Sequence, residues 1–303
     1  MKLKCGEPLS KRCFQCQLVP LHLGLNQLTS VPASLGLTAL EELTLNDNQL
    51  ESVPAELGSI ATLKVLWLTD NKLTRVPKEI GNLGALTVLK LGSNQLTSLP
   101  NQFGQLTALE KLNLEHNQLT CVRAELGRLA ALEQLRLYGN QLTSVSKELG
   151  NLKAVRYLDL GGNKLTSVPK ELGNISTLET LDLAGNQLTN APAELGRLAE
   201  LKTLHLGGNQ LTSVPKELGN LKAVRYLDLD NNQLTSVPAA LGRLTTLRIL
   251  SLADNQLTSV PKRLGDLNVL DQLRLGGNSG LAALPEEVEQ LSTAHGGICT
   301  ITM

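Results

Sequence analysis

Residues 201–221 read LKTLHLGGNQLTSVPKELGNL, and the spacing of their apolar positions decides the fold. Leu204 and Leu206 flank His205, the apolar–polar–apolar alternation of a short strand with one buried face. Asn209 follows where the chain must turn away from that strand. Its amide offers two donors and an acceptor to backbone groups that a stack of such turns would leave without partners. Leu211 and Val214 return to the core, and Pro215 fixes φ where a short helical turn begins. Gly219 is expected to let the chain reverse. A circuit of roughly 20 residues leaves no room for a long helix on the return, so 3₁₀ turns and extended pieces are expected there.

The unit repeats every 23 residues. Asn48, Asn71, Asn94, Asn117, Asn140, Asn163, Asn186, Asn209, Asn232, Asn255 and Asn278 hold that spacing, and Asn26 leads by 22 because the loop around Leu37 is one residue short. Twelve repeats span residues 18–291, leaving 1–17 and 292–303 as expected caps. The runs Lys147–Leu160 and Lys216–Leu229 are identical and lie 69 residues apart, three periods, so a duplication of three repeats is their simplest origin.

The pattern L-x-x-L-x-L-x-x-N-Q-L-T-S-V-P-x-E-L-G-x-L resembles the leucine-rich repeats. Its second half is similar to the 23-residue subclass of the Ras-group intracellular scaffolds and the plant Ras-group-related proteins. Units of this length also occur beside large GTPases of the Roco kind and in some bacterial surface proteins. The resemblance implies an α/β fold: a right-handed solenoid, horseshoe-shaped, with a parallel concave sheet of about twelve short strands and 3₁₀ turns or loops on the convex side. It also implies the work of holding a partner.

Composition narrows the partner little. The 28 basic and 28 acidic side chains cancel, which gives no support to nucleic acid or an anionic membrane as ligand. No stretch approaches the roughly 18–20 continuous apolar residues of a membrane span, and the start, MKLKCGEPLSKRCFQC, lacks the apolar segment of a secretory signal. Five cysteines, only Cys121 of them inside the array proper, argue against a disulfide framework. A soluble, cytoplasmic, monomeric and stand-alone protein is the expectation.

Catalytic motifs are missing: there is no Walker-type loop, dinucleotide fingerprint, nucleophile elbow or metalloprotease helix. Cys13 and Cys16 form a C-x-x-C, and with Cys5 and His22 they have zinc-ligand chemistry. His22 belongs to the strand face, however, so a reduced apolar cap around Cys13, Phe14 and Cys16 is the preferred reading. At the other end Ala294, Gly297 and Cys299 fall in register with the strand leucines, predicting a last strand around His295–Thr300. No cofactor and no resident metal are expected, although Asp182, His205 and Asp228 would stand about 4.8 Å apart on one face. Arg123 and Ser146 replace the proline in two consecutive repeats, which is assigned to drift.

The solvent-facing position between the strand leucines runs His22, Thr44, Trp67, Lys90, Asn113, Arg136, Asp159, Asp182, His205, Asp228, Ser251 and Arg274. Trp67, Tyr138, Tyr157 and Tyr226 are the only Trp and Tyr residues, and all four fall on variable concave positions. Those residue types often dominate binding energy. The candidate protein-binding surface is therefore Trp67, Lys90, Arg136, Tyr138, Tyr157, Asp159, Asp182, His205, Tyr226, Asp228 and Asp230, basic early and acidic later. The expected function is a non-catalytic scaffold in intracellular signalling. A sensor module of a larger GTPase or kinase and an exported adhesin are the alternatives.

Overall fold

A computed structural model describes residues 20–33, 39–292 and 299–303. The expected N-terminal cap with Cys5, Cys13, Phe14 and Cys16, the short loop at Leu37, and Ala294, His295 and Gly297 lie outside the described residues. The chain forms two compact units, one reaching to Leu142 together with Asn151–Val155, the other comprising Thr143–Gly150 and the chain from Arg156 on.

In the first unit, β1 (Pro20–His22), β2 (Glu42–Thr44), β3 (Val65–Trp67), β4 (Val88–Lys90), β5 (Lys111–Asn113) and β7 (Gln134–Arg136) pair in parallel and in that order. The second repeats the arrangement with β9 (Tyr157–Asp159), β10 (Thr180–Asp182), β11 (Thr203–His205), β12 (Tyr226–Asp228), β13 (Ile249–Ser251) and β14 (Gln272–Arg274). Each of these strands is three residues long because only its central leucine and the one following it need to face inward. Leu204, Leu206, Leu227 and Leu229 have no exposed surface. Burying each such side chain contributes about 1.5–3 kcal/mol.

The asparagines do what their chemistry predicts, with a defined direction. Asn209 Nδ2 donates to Leu183 O and Leu206 O, both at 3.0 Å, and its Oδ1 accepts from Leu188 N at 3.0 Å. In the first unit Asn94 bonds Leu68 O, Leu91 O and Leu73 N in the same way. Each of these two asparagines thus completes the backbone of the repeat before its own. Asn278 closes Leu257 N likewise. Beyond Asn278 an extra residue precedes Leu281, whose N–H is accepted by Asn278 O at 3.0 Å instead of by a further asparagine.

Opposite the strands, five-residue 3₁₀ turns recur, as at Lys216–Asn220, entered by Pro215 at φ −68°. The predicted role of Gly219 requires correction. Its φ is not positive, and a Cβ there would stand 2.2 Å from Ala240 O in the next repeat. Glycine is needed for close approach of successive turns, not for reversal. The left-handed residue is the one before each asparagine: Gly208 at +65°, Asp70 at +55°, His116 at +51°.

Two further departures from the sequence reading concern strands. Short extra strands β6 (Cys121–Val122) and β8 (Ser144–Val145) occur immediately before Arg123 and Ser146. Proline supplies no N–H to a ladder, and these are the two repeats without it. The last strand, β15, is Thr300–Thr302 rather than the segment expected around His295–Thr300. Ile301 pairs with Leu273 and Thr302 with Arg274, so the core position is filled four residues later than the expected Gly297. Cys299 is buried beside it.

Candidate functional site

The pairing registers place the variable column on one face of the strands in each unit. In the first unit His22, Thr44, Trp67, Lys90, Asn113 and Arg136 stand side by side; in the second Asp159, Asp182, His205, Asp228, Ser251 and Arg274 do. Each unit carries its own cluster.

In the first unit a concavity of about 470 Å³ is lined by Trp67, Lys90, Lys111, Asn113 and Arg136, with Asp47 and Asp70 at the turns. The Lys90 ammonium lies 3.9 Å over the Trp67 ring, and the buried indole Nε1 of Trp67 has no acceptor. Burial lowers the Lys90 pKa from its ordinary range, and the Arg136 and Lys111 charges lower it further. Arg136 stands 3.6 Å from Glu115. Tyr138, 43% exposed, meets the His116 ring edge-on at 5.4 Å.

In the second unit His205 is the centre. Its Nδ1 lies 3.6 Å from Asp228 Oδ2, and its ring packs at 5.0 Å against Tyr226. The Asp228 carboxylate beside it raises the His205 pKa, with the Asp182 and Asp159 charges adding to it against the desolvation that opposes it. Burial pushes the Tyr226 phenol upward, and the Asp228 charge reinforces this. Asp230 is also raised, first by burial, while its bond from Ala253 N opposes the shift.

These observations bear on identity through comparison. The family profile described as "Leucine-rich repeat region" matches residues 28–156 and 140–251, and a second, "Leucine Rich repeat", matches 243–260. The chain belongs to the leucine-rich-repeat family. Domains of this family generally mediate protein–protein interaction. A leucine-rich-repeat protein of Leptospira interrogans is 34% identical, with 93% of this chain and 83% of that chain covered and a TM-score of 0.64. A structure described as a TDR receptor is 31% identical over 86% of this chain and 47% of its own, with a TM-score of 0.79. A structure described as PEPR1-AtPEP1 is 30% identical over 85% and 41%, with a TM-score of 0.70. No curated protein matches.

Within this leucine-rich-repeat chain, the aspartates of the candidate surface have a structural duty that the sequence reading missed. Asp159 Oδ1 accepts from Gly161 N, Asp182 Oδ1 from Ala184 N, and Asp228 Oδ1 from Asp230 N. Asn113 does the same for Glu115 N. A short acceptor side chain at this position satisfies the N–H two residues on, as Asp and Asn do in turns. Asp159 also departs from the expected exposure. It is buried, at 6%, with Tyr157 Oη 3.3 Å from its Oδ2. Thr44 and Ser251 are buried as well, because short side chains in this column sink beneath longer neighbours.

Among the described residues no group of three His, Cys, Asp or Glu could hold a metal ion. His22 faces the sheet surface, 3.1 Å from Thr44 Oγ1. Residues missed by the sequence reading are Lys111, two positions before Asn113 on the face of β5, and a charged row beside the strands. In that row Glu179 bonds both Arg156 at 2.7 Å and Lys202 at 2.5 Å. Exposed pairs of this kind contribute little to stability.

Proposed function

We propose that this protein is a non-catalytic recognition scaffold that binds a protein partner on the exposed face of its strands. The observation that carries the proposal is the segregation of large recognition side chains. Trp67, Tyr138, Tyr157 and Tyr226 all lie outside the buried core, on or immediately after the strands, while leucine fills the interior. Aromatic side chains beside charge are the residue types that anchor interfaces. We further place the protein in the cytoplasm as a soluble monomer of the Ras-group-like subclass acting in signalling, with no nucleic-acid or membrane ligand. The balanced charge supports the absence of a polyanionic partner.

The test is partner capture by the wild-type chain and by a variant with Arg136, Tyr138, Tyr157 and Asp182 replaced by alanine. The proposal expects the variant to keep its far-ultraviolet spectrum and lose the captured protein. Retention of the same partner at unchanged affinity refutes it. A second reading is a recognition module of a larger signalling protein, favoured because the chain covers only 47% and 41% of the TDR receptor and PEPR1 structures. Coding sequence continuing in frame into a nucleotide-binding or kinase domain would establish that reading.

A further inference from the structure

The first-unit concavity gathers three cations: Arg136 has Glu115 at 3.6 Å, whereas Lys90 and Lys111 have no ion pair among the described residues. Lys90 on β4 and Arg136 on β7 flank Asn113, and Lys111 lies two residues back on the same face of β5. Adjacent strands are about 4.8 Å apart, so the three cations surround a patch little wider than a carboxylate and its hydrogen-bond shell. Lys90 cannot swing away without giving up its contact with the Trp67 ring at 3.9 Å. The charges that act most on it are those of Arg136 and Lys111, both repulsive. Beside them, the Trp67 indole N–H is buried with no acceptor, a donor whose need is unmet.

We propose that the concavity formed by Trp67, Lys90, Lys111 and Arg136 is a carboxylate-binding site that receives an acidic side chain from an extended peptide segment of the partner. The segment need not be acidic throughout. Asp47 and Asp70 line the same concavity at its turn end and would repel a second anionic group, which disfavours a phosphate run or a nucleic-acid backbone. Thr69, Asn113 and Gln134 supply neutral donors and acceptors for the peptide groups on either side. A volume of about 470 Å³ suits one or two side chains rather than a folded domain.

The inference rests on the strand face being the binding surface, and it has its own readout. Trp67 is the only tryptophan in the chain, so emission excited selectively at the indole, beyond the absorption of the three tyrosines, reports on this concavity alone. The full chain is titrated with a blocked hexapeptide carrying one central glutamate, with the same peptide carrying glutamine, and with inorganic phosphate. A saturable change in emission is expected with the glutamate peptide, at least fivefold weaker with the glutamine twin, and weakened by added salt. Lys111→Gln, an exposed substitution that leaves the strand leucines in place, should reduce affinity at least fivefold without changing the far-ultraviolet spectrum. Equal binding of the two peptides, no saturable response to either, or tighter binding of phosphate than of the glutamate peptide overturns the assignment. Should Lys111→Gln keep full capture of the natural partner while the four-residue alanine variant loses it, the carboxylate site fails and the binding face stands.

Discussion

Replacing Asn209 by alanine tests the bonding that joins each repeat to its predecessor. The side chain is 7% exposed and makes three strong bonds, but their loss is unequal. Leu183 O keeps a second donor, Asn186 Nδ2, and Leu206 O keeps Asn232 Nδ2. Leu188 N has Asn209 Oδ1 as its acceptor and is left with none. An orphaned buried N–H costs about 1–3 kcal/mol, and two carbonyls that each lose one of two bonds add about 0.5 kcal/mol apiece. The expected destabilisation is therefore about 3 kcal/mol. Urea denaturation followed by circular dichroism measures it as a fall in midpoint at unchanged slope. Gln210→Ala, next in sequence but exposed, should stay within about 0.5 kcal/mol of wild type. If Asn209→Ala costs no more than Gln210→Ala, the asparagine bonds are not what holds successive repeats in register.

Glycine substitutions separate close approach from chain reversal. Gly196→Ala places a Cβ 2.1 Å from Glu217 O and should cost about 1–3 kcal/mol, whereas Gly84→Ala meets nothing within 4 Å and should be neutral or slightly stabilising in the same melt. Phe103, 1% exposed in a position that most other repeats fill with leucine, should tolerate Leu at about 1 kcal/mol and lose about 3–5 kcal/mol as Ala, measured by urea midpoint. The raised pKa of His205 means that the folded state holds its proton to higher pH than the unfolded chain. Its stabilisation is fully present below the ordinary value of 6.5 and is lost as pH rises through the folded pKa. His205→Gln should flatten the urea midpoint between about pH 6 and 8, and an unchanged pH profile refutes the role. Asp230, also raised, gains stability in the same direction but in the acidic range below that window.

The strands were legible in the sequence because a leucine at every second position has one physical meaning, a half-buried strand, and the 23-residue spacing of asparagine repeated the message. The column order from Trp67 to Arg136, and from Asp159 to Arg274, followed from that register alone. What the sequence hid was which face-lying side chains are engaged. Asp182 and Asp228 look like presented acids, yet each spends one oxygen on a backbone N–H two residues away, a bond set by turn geometry that no periodicity reveals. The purpose of Gly219 was hidden for a related reason: its obligation is to Ala240 O, a neighbour 21 residues distant. Lys111 shares its column with Tyr157 and Tyr226 but is not aromatic, so residue type did not mark it, and only the concavity groups it with Lys90 and Arg136.

The direction of the asparagine bonds has a consequence for synthesis. Leu188 N, in one repeat, waits for Asn209 in the next, so a repeat leaving the ribosome has an unfinished backbone until about 21 more residues follow. At a translation rate of about 5–20 residues per second, that interval lasts about one to four seconds. The nascent array therefore always carries one unsatisfied turn at its growing end, a surface open to a chaperone or to the wrong neighbour. The extra residue before Leu281 lets Asn278 O close that last N–H from within the same repeat, ending the debt without a further asparagine.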